Sequence, residues 1–343
     1  MTSFFDLTLK DLEARVEPLG LTRYRARQIY KWVYQQDTLD FDGMTNLPKD
    51  LRFSLKGLFS LALPEVTEVR PSSDGSTKFG LRAADGRLVE SVLIPEKERN
   101  TLCISTQIGC KMSCRFCVTG KIGFIRDLTA GEIVGQVMAV RGRLNDARIT
   151  NIVFMGMGEP LDNLEHVLKS LEILEESMGL NFSYRRVTLS SVGLLDALRQ
   201  IDPRRALIAI SLNATTDEQR SYLMPINRIY PLRALINYAK SFGEVPRLRV
   251  TFEYVMLKGF NDSLDDAKRL ADLLRGVRCK INLIPYNESP YTEFQTSDPE
   301  AVLRFQEYLV SRHFTAIVRD SRGRDVGGGC GQLGMKYLEE GRG

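Results

Sequence analysis

In Cys110-Lys111-Met112-Ser113-Cys114-Arg115-Phe116-Cys117, three soft ligands fall within eight residues, with an aromatic immediately before the third. A loop of this kind wraps one corner of an inorganic cluster. Three thiolates hold three irons of a 4Fe-4S cubane, and because no fourth cysteine lies nearby, the fourth iron is left open for another ligand. The plainer readings are a structural zinc site or a disulfide pair. Structural zinc wants four closed ligands, and this neighbourhood has no His.

The other cysteines differ in context. Cys103 lies seven residues before the first of these ligands, and Cys279 precedes an apolar strand and reads as a small buried hydrophobe. Cys330 stands in Gly327-Gly328-Gly329-Cys330-Gly331. Four glycines around one thiol predict a mobile segment, which suits a thiol that must visit two places. Glu90, in Leu88–Ile94, reads either as a buried base or as the exposed residue of a half-buried strand. In Gly156-Met157-Gly158-Glu159-Pro160 the glycines let backbone approach a ligand, and Glu159 can accept from an ammonium. Ser190, Ser211-Leu212-Asn213 and Asn287 are strand-end groups suited to ribose, carboxylate or adenine, and singly each is as much a turn or cap residue.

These residues need a scaffold, and composition bounds it. At 343 residues, 43% hydrophobic and 26% charged, the chain can bury one large core and a small one. No apolar run approaches the roughly eighteen residues of a membrane span, and Met1–Val16 mixes in acidic residues unlike a signal peptide. A soluble, cytoplasmic protein without membrane contact is expected, and six cysteines in so long a chain fit a reducing compartment. The net charge of +4 hints weakly at nucleic acid.

Residues 1–60 read as a small helical domain. Thr8 and Asp11 make a capping box, Ala26, Ile29, Tyr30 and Val33 form a buried stripe, and Pro48 opens a third helix at a first-turn position. Arg23, Arg25, Arg27 and Lys31, interleaved with Tyr24 and Trp32, read either as an RNA-facing patch or as a solvated helix face. Residues 61–100 read as a β-hairpin extension turned by Asp74-Gly75 and Asp85-Gly86. Residues 101–343 alternate strands and helices, with strands near 102–106, 151–155, 186–190, 206–212, 249–256 and 280–284. The expected fold is α/β, a partial six-unit βα barrel with a wide mouth at the C-terminal strand ends, where chemistry gathers.

The cysteine loop resembles the signature of radical S-adenosylmethionine (radical SAM) enzymes, and the glycine turn resembles their GEP-type motif. Tyr24–Gln28, Met44–Pro48, Phe154–Leu161, Leu223–Asn227, Phe252–Met256, Asn282–Pro285 and Gly329–Leu333 resemble the RlmN/Cfr family of radical SAM RNA methyltransferases. The resemblance implies a 4Fe-4S cluster on Cys110, Cys114 and Cys117, with SAM held by Gly158, Glu159, Ser190, Ser211, Leu212, Asn213 and Asn287. It also implies Cys330 as the methyl carrier, Cys103 as its resolving partner through a disulfide, and Glu90 as base. The RlmN-type members methylate carbon 2 of adenosine in the peptidyl-transferase region of 23S rRNA and beside the tRNA anticodon, and Cfr-type members methylate carbon 8. The helical N-terminus and Phe124–Leu128 favour the first type. A monomer drawing electrons from flavodoxin or ferredoxin is expected.

Adenine carbon 2 is too weak a nucleophile to take a methyl cation from SAM, which is why a radical route through a carrier cysteine makes sense. Two departures from the family pattern stand out: Asn213 replaces a usual His, and glycines occupy 327–329 where small residues such as Ala are usual. The alternatives are a metal-containing RNA-binding protein without catalysis, and a radical SAM enzyme acting on protein or small molecules. The latter has no need of Cys103 and Cys330.

Overall fold

The computed structural model describes residues 1–144 and 148–339. A ten-stranded sheet runs in chain order through β1 (Glu65–Pro71), β2 (Thr77–Arg82), β3 (Leu88–Glu96), β4 (Arg99–Cys103) and β5 (Asn151–Phe154). It continues through β6 (Val187–Ser191), β7 (Leu207–Ser211), β8 (Val250–Met256), β9 (Cys279–Pro285) and β10 (Ala316–Val318). From β4 onward all neighbours are parallel, and β1 to β4 are antiparallel. The six expected strands are present. A seventh parallel strand, β10, follows them, and its three residues are too few for a periodic signal.

Both Asp-Gly turns close three-residue loops, with Gly75 at φ +86° and Gly86 at φ +83°, where a side chain would be strained. The hairpin does not stand apart from the parallel strands. β3 pairs with β4 from Val92 opposite Cys103 to Glu96 opposite Arg99, so one sheet carries both Glu90 and Cys103.

The N-terminal helices are α1 (Leu9–Val16), α2 (Arg23–Gln35) and α3 (Lys49–Leu58). Thr8 and Asp11 form the expected capping box, and Ala26, Ile29, Tyr30 and Val33 are buried. Pro48 is the N-cap of α3, one position earlier than expected. These helices pack on α4 (Ala130–Arg141), which has two apolar faces. Ile133, Val137 and Val140 join the sheet's core, and Ala130, Val134 and Met138 join the N-terminal core. Close contact requires small residues there: a Cβ on Gly131 would lie 2.8 Å from Asp6, and one on Gly135 2.8 Å from Pro64. Gly131 N–H donates to Asp6 Oδ1 at 2.5 Å.

The start of α4 is also tied to the hairpin. Thr129 and Glu132 form a capping box, and Arg126 donates to both Glu132 oxygens and to Asp85 beside Gly86. The Arg126 hydrogen bond holds the Asp85 carboxyl well below the usual carboxylate range.

Phe4 is the centre of the N-terminal core, with ring centroids of Phe5, Tyr30, Tyr34 and Phe59 between 6.0 and 6.3 Å away. Phe4→Ala should destabilise the protein by about 3–5 kcal/mol. Urea denaturation followed by tyrosine fluorescence measures it, and a loss below about 1 kcal/mol would show that this core does not unfold with the rest.

Candidate active site

The cysteine loop grows from a two-stranded ribbon, Gln107–Gly109 against Phe124–Asp127. Gly109 has φ +74°, and a Cβ there would lie 1.7 Å from the Gly123 carbonyl, so only glycine fits. Cys110 N–H donates to Gly123 O at 2.8 Å, Cys117 N–H to Cys114 O at 3.1 Å, and Arg115 N–H to Leu223 O at 2.9 Å. The backbone is thereby fastened while three thiols face one cavity.

Among the described residues, no three Cys, His, Asp or Glu side chains approach closely enough to share a single metal ion. Three thiols with no histidine beside them leave structural zinc one ligand short and match three corners of a 4Fe-4S cluster. Burial pushes Cys110 up to about 12, with Cys117 repelling it, and drives Cys114 well above its ordinary value. Thiols in such surroundings ionise when metal coordinates them. The donor set therefore fits the cluster.

The glycine turn after β5 makes the next wall. Gly158 has φ +95°, and a Cβ on it would meet Gln107 at 2.5 Å. Glu159 N–H donates to Gln107 Oε1 at 2.8 Å. Its carboxylate accepts from Val192 N–H at 3.0 Å and Leu161 N–H at 3.2 Å, and burial pushes it up to about 7 despite those donors. Ser190, Ser211 and Asn213 line the same cavity. Asn213 sits at φ +56°, a conformation Asn tolerates better than most residues. Its Oδ1 accepts from Val255 N–H at 2.9 Å, so its amide already braces β8.

Leu212 and Asn287 do not line the cavity. Leu212 is fully buried, and its carbonyl accepts from Arg220. Asn287 Nδ2 donates to Cys330 O at 2.9 Å and to Ser321 Oγ at 2.8 Å, while its buried Oδ1 has no partner.

Cys103 and Cys330 open into the cavity that the cluster thiols line. Both are free, with no disulfide between them. Cys103 is pushed up to about 12 by burial and then by Cys330. Cys330 is exposed to solvent, and the protein crowding its thiol raises it, with Cys117 adding to the shift. Arg319 opposes both shifts. Cys279 is half-buried on β9 and does not line the cavity, as expected of a packing residue.

Crowding bears on two of the glycines near Cys330, in a segment where the sequence predicts mobility. A Cβ on Gly327 would lie 2.1 Å from Met335, and one on Gly329 2.7 Å from Gln332 and 2.8 Å from Asn287. Hydrogen bonds pin the segment: Val118 N–H to Gly331 O at 2.8 Å, and Thr119 Oγ1 to Leu333 O at 2.8 Å.

Glu90 is 3% exposed and lies behind this loop, outside the cavity lining. Its Oε1 meets Lys78 Nζ at 3.0 Å, and its Oε2 accepts from Gly334 N–H at 2.7 Å.

Sequence reasoning passed over Glu253 and Arg319, both in the cavity wall. Glu253 is buried with Oε2 unpartnered. A lone carboxylate inside the apolar run Val250–Met256 was the available signal. Arg319 follows the undetected β10 and had none.

Gly109→Ala should lower iron incorporation, because the left-handed backbone alone costs about 1–3 kcal/mol and the carbonyl clash adds to it. Iron and sulfide per chain, measured with circular dichroism to confirm folding, test this. Full loading would show that the ribbon does not set the loop.

Comparison with known proteins adds to this geometry. The Radical SAM superfamily matches residues 104–274, and the ribosomal RNA large subunit methyltransferase N-terminal domain matches residues 2–61. The dual-specificity RNA methyltransferase RlmN of Geotalea uraniireducens is 47% identical, covering 96% of this chain and 95% of its own. That of Geobacter sulfurreducens is 48% identical, covering 95% and 90%. The crystal structure of a radical SAM methyltransferase from Sphaerobacter thermophilus superposes with a TM-score of 0.92 at 42% identity, covering 97% and 99%. With near-half identity over almost its whole length, and both family regions matched in order, the chain belongs to the RlmN family of radical SAM RNA methyltransferases.

Proposed function

We propose that the protein methylates carbon 2 of adenosine in the peptidyl-transferase region of 23S rRNA and beside the tRNA anticodon, through a methyl group carried on Cys330. The observation that carries this reading is the convergence of five thiols, Cys103, Cys110, Cys114, Cys117 and Cys330, on one cavity. Relatives bearing the words dual-specificity RNA methyltransferase support the pair of RNA substrates. A carbon-8 enzyme of Cfr type is the alternative.

Cys110, Cys114 and Cys117 would hold a 4Fe-4S cluster, and Glu159, Gly158, Ser190, Ser211 and Asn213 would hold SAM. Leu212 and Asn287 would act from behind that site through the elements they fasten. Bound together, cluster and SAM supply a methyl cation equivalent and, after one-electron reduction, a species that removes a hydrogen atom. Cys330 loses its proton and takes the methyl, its S–C bond forming as the sulfonium S–C bond breaks. After hydrogen removal, the Cys330 methylene radical would add to the adenine, and the adduct would return one electron to the oxidised cluster and give its ring proton to a base. Glu90 is our candidate for the base. Cys103 then attacks the Cys330 sulfur: the S–S bond forms, the S–C bond breaks, and the freed carbon takes a proton to become the product methyl. Two electrons, from flavodoxin or ferredoxin, reopen the disulfide.

The RNA would meet the N-terminal helices. Tyr24 and Lys31 are exposed there, whereas Arg23 and Arg27 share Glu13 and Arg25 donates to Gln28, so the basic cluster is partly neutralised. No helix among the described residues is long and apolar enough to cross a membrane. We place the protein in the cytoplasm as a monomer.

Cys114→Ala should abolish 5′-deoxyadenosine formation, because losing one thiolate leaves a labile iron. Chromatography of the reduced, SAM-treated protein measures it, and full formation would refute the ligand assignment. Cys103→Ala should stall with RNA covalently attached at Cys330, visible on a denaturing gel with labelled RNA and by mass mapping of the linked peptide. Free methylated RNA released at the normal rate, or a linkage at another residue, would overturn the roles of both thiols.

A further inference from the structure

Arg220, on α5 (Asp217–Leu223), is fully buried. Its guanidinium donates to five oxygens, none of them a carboxylate. They are Leu212 O at 3.1 Å, Ser211 O at 3.1 Å, Val192 O at 2.6 Å, Tyr230 O at 3.3 Å and Asn227 Oδ1 at 3.1 Å. Neutral donors could satisfy those acceptors. Burying a cation costs several kcal/mol more unless an anion lies near.

The nearest anionic candidates are unequal. Asp217 is exposed, and its carboxylate already accepts from Asn227 Nδ2 and Leu232 N–H. The last turn of α5, by contrast, is pressed against the cysteine loop. Leu223 and Met224 pack with Cys110, Met112 and Cys114, and Leu223 O accepts from Arg115 N–H at 2.9 Å. Burial pulls the Arg220 guanidinium down to about 10, and Cys114 does most to oppose this, ahead of Asp217.

We propose that Arg220 is the buried counter-charge of the iron–sulfur cluster and a positioning residue that raises its reduction potential. The inference rests on the reading that Cys110, Cys114 and Cys117 hold that cluster. A cluster on three thiolates is anionic, and one added electron makes it more so. A fixed cation nearby therefore favours the reduced form, and at low dielectric it does so over several ångström. Three of the five hydrogen bonds, to Val192 O, Ser211 O and Leu212 O, tie the guanidinium to the ends of β6 and β7, so the charge is held in place.

The test uses cluster-loaded protein and the variants R220Q and R220K. R220Q keeps donors and loses the charge, whereas R220K keeps the charge and loses donors. Redox titration followed by electron paramagnetic resonance should give R220Q a more negative midpoint than the parent and R220K a midpoint close to the parent. Equal shifts in both variants, or a parental midpoint in R220Q, would show that Arg220 only clamps carbonyls and would overturn the proposal. If R220Q does not fold, R220K decides alone: a parental midpoint supports the charge, and a negative shift overturns it. Iron content and the spectrum of the parent keep the two readings apart, since a parent without a cluster defeats the ligand assignment and leaves no charge for Arg220 to balance.

Discussion

The ion pair between Lys78 and Glu90 fixes where Cys330 stands. Both side chains are almost wholly buried, and each also reaches the C-terminal loop. Lys78 Nζ approaches Gly327 O at 3.5 Å, and Glu90 Oε2 accepts from Gly334 N–H. The two ends of the Cys330 segment are therefore fastened to neighbouring strands of the hairpin. A buried pair of this kind adds little net stability, because desolvation offsets attraction, but breaking it leaves a costly unpaired charge. Its value is registry. Val92, two residues beyond Glu90, lies opposite Cys103 in the sheet and 3.4 Å from where a Cβ on Gly328 would stand, so one strand gauges both thiols.

Close approach of backbones sets the rest of the cavity. The turn at Gly156–Pro160 lies against the segment after β4, where Met157 N–H donates to Ser105 Oγ at 2.8 Å and Glu159 N–H to Gln107 Oε1. Gln107 Nε2 in turn donates to Asp127 and Asp162, both at 2.8 Å. The cysteine ribbon and the glycine turn thus share one amide. Any side chain at Gly156 or Gly158 would force them apart and separate the cluster thiols from Glu159.

What the sequence revealed was local. Strand alternation, the Asp-Gly turns and the Thr8 capping box involve neighbours within a few residues, and they appear where expected. The cysteine spacing was legible because ligand geometry restricts it. Interactions between distant segments were not. Glu90 read as a buried base or an exposed strand residue, and its contacts with Lys78 and Gly334 could not be read from its neighbours; nor could the crowding of Gly327 by Met335 and of Gly329 by Gln332 and Asn287. Leu212 and Asn287 had the right strand-end positions, yet their use depends on Arg220 and on the Cys330 loop. Asn213 illustrates the same limit: its left-handed backbone and its bond to Val255 are invisible in Ser-Leu-Asn-Ala.

α4 joins the two cores, and this makes the N-terminal helices part of the site's foundation. Its outward face supports Phe4 and Tyr30 in the N-terminal core, while Gln136 on the other side reaches β3 and the loop after β4. Gln136 Oε1 accepts from Ser105 N–H at 2.9 Å and from Ser91 Oγ at 2.8 Å, and its Nε2 donates to Ser105 O at 2.8 Å. Ser105 Oγ donates to Glu90 O at 2.7 Å and accepts from Met157. A buried network satisfied at every member holds a single arrangement, because each broken bond strands a polar group away from water. The N-terminal core is therefore tied through α4 and Gln136 to β3 and to the segment after β4, which leads from Cys103 to the cysteine loop.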